Sequence, residues 1–201
     1  MEQQSKVMSA AVAIEQFVHN GDCLAVGGFV TNRRPYALVR EIIRQRKRDL
    51  YIEGGPSGGD IDMLIGAGCV KAINISYIAN SGYTQVCRRF REMIEHGKLL
   101  FEDYSLDVQT IAYHGAALGL AYVPVKNMLG SDLADKWGIS REERAKHPKL
   151  PAENLSYRTT LFIQVVSSAV SQHRRLILRL SMRRWQVRTE QFVSWEHLSR
   201  M

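Results

Sequence analysis

Short apolar runs recur along the first 150 residues and are separated by segments with a longer repeat. The runs Leu24–Val26, Leu50–Ile52, Val70–Ile75 and Leu99–Phe101 have the length and composition of buried strands. The segments between them carry apolar residues three and four positions apart, which is the spacing of one helix face. The predicted helices start near Ala10, Pro35, Asp62, Val86 and Val108.

Strands that alternate with helices predict right-handed crossover connections and a mostly parallel sheet that is covered on both faces. The expected fold class is therefore α/β, with three αβα layers. In such sheets, ligands bind beyond the carboxyl ends of the strands. Three polar or glycine-rich segments follow predicted strands and are expected at that edge: Gly27–Phe29, Gly54–Gly59 and Ser76–Tyr77.

The segment Gly27–Phe29 is the most informative of the three. It ends the apolar run of the first strand, and a helical pattern opens at Pro35. Two adjacent glycines let main-chain N–H groups approach a ligand closely and adopt positive φ without a Cβ penalty. Loops of this kind stabilise a developing oxyanion or a phosphate. The alternative is a tight strand-to-helix connection that binds nothing.

The segment Gly55–Gly59 offers a competing chemistry. Its sequence, Gly-Pro-Ser-Gly-Gly, matches the GxSxG nucleophile elbow and lies between a predicted strand and a predicted helix. A hydrolase with Ser57 as nucleophile is therefore an alternative. Against it, the following helix is short, and the two late histidines, His173 and His197, lie in a segment of unusual composition.

Three carboxylates lie near predicted strand ends, namely Glu53, Glu102 and Asp103. A carboxylate that acts as a nucleophile must be ionised, partly desolvated and within reach of the carbonyl that it attacks. Glu53 is followed by two glycines. It is the first candidate for a catalytic carboxylate if this chain supplies one.

The sequence lacks the patterns of several cofactor classes. Gly66-x-Gly68 is not a dinucleotide fingerprint, because Lys71 occupies the position of the third glycine. The chain has no GxxxxGK[ST] phosphate loop, and none of its six histidines forms an i, i+4 pair. We therefore expect no metal ion and no permanently bound cofactor.

Composition indicates one domain with a sizeable core, since 45% of the 201 residues are hydrophobic. The three cysteines are too few and too scattered for a disulfide framework or a CxxC metal site. The N-terminus has no signal segment, and no apolar run approaches the roughly 20 residues of a membrane span. We expect a cytoplasmic protein that does not enter a membrane.

The residues around the first glycine pair carry a family resemblance. The order Asn-Gly-x-x, three apolar residues and Gly-Gly-Phe, with Pro35 six residues after Phe29, resembles the signature of family I coenzyme A transferases. Arg33 departs from the general pattern, which has glycine there. The run from Asn32 to Pro35 looks instead like the A subunit of the glutaconate CoA-transferase branch. Further matches extend the resemblance over about residues 5–150: Ser57–Gly58, Asp62 with Leu64–Gly68, Ser76–Tyr77, Phe90–Arg91, Asp103–Ser105, Ala116–Ala117 before Pro124, and Leu129–Leu133.

The resemblance implies an A subunit of a heteromeric enzyme that moves CoA between an acyl-CoA and a free carboxylic acid. In such enzymes the glutamate nucleophile belongs to a B subunit, so a B subunit is the expected partner, in a heterotetramer, and a CoA thioester is the substrate. The A subunit supplies an oxyanion loop, here Gly27, Gly28 and Phe29, and part of the acyl pocket. The resemblance implies six positions in this pocket, namely Ser57, Gly58, Ser76, Tyr77, Gly130 and Ser131.

Two further functions stay open beside the transferase. One is an acyl-CoA hydrolase of the same fold, in which water takes the place of the accepting acid. The other is a remnant without catalytic activity.

Composition changes at about Pro151. Residues 1–150 hold 8 Lys and 11 Arg against 17 acidic residues, whereas residues 151–201 hold 8 Arg against 3 Glu and lack glycine, lysine and aspartate. Arg175, Arg179 and Arg183 recur every fourth residue, and a helix there could contact phosphates. An altered reading frame near Asn154, or a gene remnant, explains the change better, so no nucleic-acid partner is expected. We predict an incomplete domain over 1–150 and an atypical tail over 151–201, loosely attached from about residue 155.

Overall fold

The computed structural model describes residues 7–120, 122–128, 130–135, 138–150, 155–158 and 163–167. At its centre lies a four-stranded sheet in the order β1-β2-β4-β6, and every pair of neighbouring strands in it is parallel. The predicted α/β class with a parallel sheet is confirmed. The strands are β1 (Cys23–Val26), β2 (Leu50–Gly54), β3 (Pro56–Ser57), β4 (Val70–Ile75), β5 (Tyr77–Ile78), β6 (Leu100–Asp103), β7 (Tyr122–Val125), β8 (Leu155–Arg158) and β9 (Ile163–Ser167).

Four helices form one layer on the central sheet. Since the sheet order follows the chain order in one direction, right-handed crossovers place α2, α3 and α4 on the same face. Helix α1 packs on α2 and joins this layer. The helices are α1 (Ala10–Phe17), α2 (Tyr36–Arg44), α3 (Gly59–Gly66), α4 (Arg88–Glu95), α5 (Leu106–Ala117), α6 (Asp132–Asp135) and α7 (Arg141–Ala145).

The two faces of the sheet differ in polarity. Ile52 and Ile73 point toward α1–α4 and belong to the main hydrophobic core. The next residues along these strands, Glu53 and Asn74, point to the opposite face, because side chains alternate along a strand. Helix α5 covers that face: Gln109 donates a hydrogen bond from Nε2 to the carbonyl oxygen of Gly54 (3.1 Å). The central sheet therefore has an apolar face and a partly polar face, each covered by helix.

Local sequence signals explain where several helices begin and end. Ser9 caps α1, since its hydroxyl oxygen accepts a hydrogen bond from the Val12 N–H (3.3 Å). Ser140 caps α7 in the same way, through the Glu143 N–H (3.1 Å). Gly97 follows α4 with φ of +63°, the left-handed conformation in which a glycine commonly ends a helix.

Two smaller sheets complete the described structure. Strands β3 and β5 are two residues long and pair in parallel, so that they join the loops after β2 and β4. Strands β8 and β9 form an antiparallel sheet with β7. These two strands lie beyond Pro151, and the loose attachment of the chain from about residue 155 stays a prediction. The arginine repeat at residues 175–183 lies outside the described residues.

Candidate functional site

Three loops meet at the carboxyl ends of the central strands. The loop after β1 donates a hydrogen bond from the Val30 N–H to the carbonyl oxygen of Pro56 (2.8 Å), in the turn after β2. Pro56 in turn pairs with Tyr77, which follows β4. The structure therefore brings together the three segments that the sequence placed at this edge.

Gly58 is the closest point of contact between these loops. A Cβ atom there would lie 2.1 Å from the carbonyl oxygen of Val30 and 3.3 Å from that of Ala79. Both distances are shorter than ordinary van der Waals contacts, and both neighbours are backbone atoms, which cannot move aside as the end of a flexible side chain can. A glycine at position 58 is thus a condition for the loop after β1 to lie against the turn after β2.

The loop after β1 is closed by its own backbone. The Phe29 N–H donates to the carbonyl oxygen of Asn32 (2.9 Å), and the Asn32 N–H donates to that of Phe29 (2.8 Å). The Phe29 amide is therefore already used, whereas the Gly28 N–H has no acceptor among the described residues. Of the two, Gly28 is the one with a backbone donor available to a ligand.

Unusual backbone angles are concentrated in this loop. Gly28 has φ of +115°, and two residues with side chains also have positive φ, Val30 at +50° and Arg33 at +57°. A β-branched residue rarely adopts this conformation, and such strain persists only where the surroundings hold it in place. Arg33 occupies the position where the general family pattern has glycine, and its positive φ explains why glycine suits that position.

The other predicted pocket residues have different environments. The Ser57 side chain is fully buried, and its hydroxyl has no hydrogen-bond partner in the described part of the chain. Ser76 is half-buried, with a hydroxyl that likewise lacks a described partner. Tyr77 is exposed, and its hydroxyl lies 3.5 Å from that of Ser81.

Gly130 and Ser131 form a turn near the end of β6. Gly130 has φ of +73°, and the Ser131 hydroxyl donates to the carbonyl oxygen of Met128 (2.6 Å). The Met128 sulfur accepts a hydrogen bond from the Ser105 N–H (3.5 Å), just after β6. This turn therefore lies at the carboxyl-end edge, but no described contact joins it to the loop after β1.

Glu53 is buried on the polar face of the sheet. It lies in register between Ala25 of β1 and Asn74 of β4, and the Asn74 amide nitrogen donates to its Oε2 (3.0 Å). Burial raises the pKa of the Glu53 carboxyl to about 8, and the hydrogen bond from Asn74 offsets only part of that rise. The carboxyl is thus largely protonated at pH 7, which does not favour Glu53 as a nucleophile.

Glu102 of β6 lies opposite Asn74 in the strand register, and it has a cationic partner that the sequence did not reveal. Arg144 of α7 forms an ion pair with it through Nη2, with both side chains buried. The Ile139 N–H also donates to Glu102 (3.0 Å), and burial lowers the pKa of Arg144 to about 10. The residues are 42 positions apart, so no local pattern could indicate the pair. Asp103, by contrast, is exposed, and partial desolvation raises the pKa of its carboxyl.

The described residues offer little support for the other chemistries. No histidine contacts Ser57 there, so the described part of the chain lacks the nucleophile–base pair of a serine hydrolase. In the same ranges, no group of three His, Cys, Asp or Glu side chains is arranged to hold a metal ion. None of the helices in this part of the chain combines the length and apolar content that crossing a membrane requires.

The buried carboxyl of Glu53 predicts a pH dependence of stability. Its pKa is about 8 in the folded state against 4.5 for a glutamate side chain in water, so unfolding becomes easier as the pH rises from about 4.5 to 8. The Glu53→Gln variant lacks this titration. Its free energy of unfolding, relative to the original chain, should rise by about 1.4 kcal/mol per pH unit within that window.

Urea unfolding at pH 5, 6, 7 and 8 measures the difference in free energy of unfolding between Glu53→Gln and the original chain. The control is Glu142→Gln, which removes an exposed carboxyl whose pKa is lowered, so that its effect should stay constant over this range. A difference between the Glu53 variant and the original chain that does not change with pH would contradict the assignment of a protonated carboxyl.

Comparison with known proteins supports the family resemblance. The family described as Coenzyme A transferase matches residues 7–161. The A subunit of glutaconate CoA-transferase from Acidaminococcus fermentans is 54% identical over 153 residues, which are 76% of this chain and 48% of that protein. The A subunit of 3-oxoadipate CoA-transferase from Pseudomonas knackmussii is 33% identical over 132 residues, which are 64% of this chain and 46% of that protein.

A solved structure agrees with the sequence comparisons. The crystal structure of glutaconate coenzyme A-transferase from Acidaminococcus fermentans superposes with a TM-score of 0.78 at 50% identity, over 82% of this chain and 53% of that one. The chain thus spans about half the length of the relatives that it matches. With a family match over most of its length, this chain belongs to the coenzyme A transferase family.

Proposed function

We propose that this chain acts as the A subunit of a heteromeric CoA-transferase, which moves CoA between an acyl-CoA and a free carboxylic acid. The observation that carries the proposal is the loop after β1, where Gly28 presents an N–H without an acceptor in the described structure. The names of the two relatives, both of them A subunits of CoA-transferases, support the same assignment.

The chemistry requires an ionised nucleophile, and Glu53, the first candidate in this chain, is not in that state. Glu53 is buried and largely protonated at pH 7, whereas attack on a thioester requires a carboxylate. We therefore assign the nucleophilic glutamate to a B subunit. Its attack on the acyl-CoA expels CoA as a thiolate, and the thiolate then attacks the new anhydride at the glutamyl carbonyl. This releases the first acid and leaves a glutamyl-CoA thioester.

The second half of the reaction is the reverse sequence with another acid. The incoming carboxylate attacks the glutamyl thioester and expels CoA as a thiolate, which leaves a mixed anhydride. The thiolate then attacks the new acyl carbonyl of this anhydride, which forms the new acyl-CoA and releases the glutamate carboxylate. Each attack places negative charge on a carbonyl oxygen, which a fixed N–H donor stabilises without reorganisation. In this proposal Gly27 and Gly28 form that donor loop, and Phe29 closes it through its hydrogen bonds with Asn32.

The acyl group would then lie beside the neighbouring loops. Gly58 lies on the turn that contacts the loop after β1, and Tyr77 follows β4 and pairs with the same turn. Ser57 and Ser76 precede them in the chain, one fully buried and the other half-buried. Gly130 and Ser131 would line the more distant part, near the end of β6. We propose small carboxylic acids as substrates, with glutaconate-like dicarboxylates and 3-oxoacids as the first to test. We further propose a heterotetramer with the B subunit, located in the cytoplasm.

Separate and combined assays test the two-subunit proposal. The chain alone should not exchange CoA between an acyl-CoA and a free acid, because Glu53, its first candidate nucleophile, is buried and largely protonated. Mixed with a cognate B subunit, it should do so with ping-pong kinetics. The assay measures transfer from glutaconyl-CoA to labelled acetate by the two proteins separately and by their mixture. Transfer by the purified chain alone would contradict the assignment of the nucleophile to the partner.

A substitution of Gly28 tests the oxyanion loop. A Cβ at this position would lie 2.6 Å from Arg34 Cδ and 3.0 Å from the Arg33 carbonyl oxygen, and φ of +115° disfavours any side chain. The Gly28→Val variant should therefore displace the donor while the subunits still associate. Loss of one such donor raises the barrier by about 2.7–4 kcal/mol, which corresponds to a loss of about 10²–10³-fold in kcat.

A matched control separates this effect from backbone strain in general. Gly97 also has positive φ, at +63°, but a Cβ there would meet no atom within 4 Å. Gly97→Val thus strains the open turn after α4, apart from the loops of the candidate site, and should retain most of the turnover in the mixed assay. Equal loss of kcat in both variants, or normal turnover by Gly28→Val, would count against the oxyanion role.

A further inference from the structure

A fully buried ion pair lies directly beneath the loop after β1. The Arg34 side chain runs under Gly28, and its Nε lies 2.7 Å from Oδ1 of Asp60, with neither side chain exposed to solvent. Asp60 belongs to the first turn of α3, where the helix dipole favours a negative charge. The pair therefore connects the loop to the end of a helix that is firmly packed in the core.

The same arginine is also tied to the turn after β2. Its Nη1 donates to the carbonyl oxygen of Pro56 (3.4 Å), the oxygen that also accepts from the Val30 N–H. Arg34 thus fixes the distal end of the loop at two points, Asp60 and Pro56. Between these anchors and the end of β1 lie the strained residues Val30 and Arg33.

The ion pair is poorly suited to a role in stability alone. The contact between Nε and Oδ1 has the distance of an ion pair but not the angles of a hydrogen bond, and Arg34 Nη2 and Asp60 Oδ2 form no hydrogen bond with the described residues. Burying two charges is costly, and incomplete hydrogen bonding leaves much of that cost unrecovered. An apolar pair of similar volume would fill the same space without the cost.

We propose that Arg34 and Asp60 are positioning residues for the transfer reaction, and that their buried ion pair holds the loop after β1 with the Gly28 N–H directed at the acyl oxygen. This inference rests on the proposed function. The contacts that support it are the passage of Arg34 beneath Gly28 and its attachment to both Asp60 and Pro56. Without the pair, the positive φ angles of Val30 and Arg33 lose the anchor that maintains them.

The first test follows the loop itself and needs no activity. Trypsin can cut after Arg33, which is exposed in the loop, and after Arg46, which is exposed beyond the end of α2. In Asp60→Asn, both cleavage sites keep their sequence. Mass spectrometry of short digests should show cleavage after Arg33 increased at least about tenfold relative to cleavage after Arg46, because only the loop has lost its anchor. An unchanged ratio would overturn the proposal.

The second test separates positioning from stability. The double variant Arg34→Met/Asp60→Leu replaces the ion pair by apolar side chains and should keep the thermal midpoint close to that of the original chain. In the enzyme assembled with its B subunit, kcat should still fall by about 10–100-fold while KM changes little, since the misplaced donor acts in the transition state. If the double variant has both the thermal midpoint and the kcat of the original chain, the ion pair is only structural and the proposal is overturned.

The outcomes also distinguish this inference from the proposed function. If the unaltered subunits show no CoA transfer when mixed, the proposed function fails, and the cleavage ratio still decides whether the ion pair holds the loop. If the mixture is active but Asp60→Asn has a normal cleavage ratio and normal kcat, the inference alone is wrong. If the double variant does not fold, Asp60→Asn provides both measurements by itself.

Discussion

The carbonyl oxygen of Pro56 holds the candidate site together, because it accepts hydrogen bonds from the middle of the loop after β1 and from its distal end. The Val30 N–H reaches it at 2.8 Å and the Arg34 guanidinium at 3.4 Å. The turn that contains Pro56 follows β2, so the loop after one strand is fixed by the end of its neighbour. Gly58 makes this approach possible, since a side chain there would overlap the backbone of Val30. The conformation of the loop therefore depends on a contact between loops more than on its own sequence.

The polar face of the central sheet explains why we expect this chain to contribute only part of an active site. Glu53, Asn74 and Glu102 lie in register on three neighbouring strands. Each of the three has a partner within the protein: Asn74 donates a hydrogen bond to Glu53, and Glu102 forms an ion pair with Arg144. A carboxylate in either position would have to lose its present environment before it could attack a thioester. The chain offers a backbone donor for an oxyanion, whereas the carboxyls of Glu53 and Glu102 are engaged in buried contacts, which matches the division of roles that we propose between two subunits.

The sequence was a good guide to the central sheet because each strand there is a short apolar run followed by glycine or a polar turn. The predicted strand Val70–Ile75 has the observed bounds, and the others differ by one or two residues. Strands β3 and β5 were missed, since two residues are too few to show an alternating pattern. Strands β8 and β9 were missed because arginine-rich surroundings and the absence of glycine masked their apolar residues.

The site was predictable only in part, because a sequence shows local backbone freedom but not contacts between distant residues. Glycines signal backbone freedom wherever they occur, so the loops at Gly28 and Gly58 could be identified from sequence. Pairing between distant side chains leaves no such signal. Arg34 and Asp60 are 26 positions apart, and neither stands out in its own segment. The burial that raises the pKa of Glu53 is likewise a property of the packed sheet and of helix α5.

In the proposed reaction, the Gly28 N–H donates a hydrogen bond to the acyl oxygen of a bound thioester. Isotope-edited infrared spectroscopy tests this most directly, with an acyl-CoA carrying ¹³C in the thioester carbonyl and the chain assembled with a B subunit that lacks its nucleophilic glutamate. A hydrogen bond polarises the carbonyl, so its stretching frequency should be lower in the complex than in water. In Gly28→Val, with thioester still bound, the frequency should return toward the value in water. The same lowered frequency in both complexes, or no change on binding to the original chain, would contradict a hydrogen bond from the Gly28 N–H to the acyl oxygen.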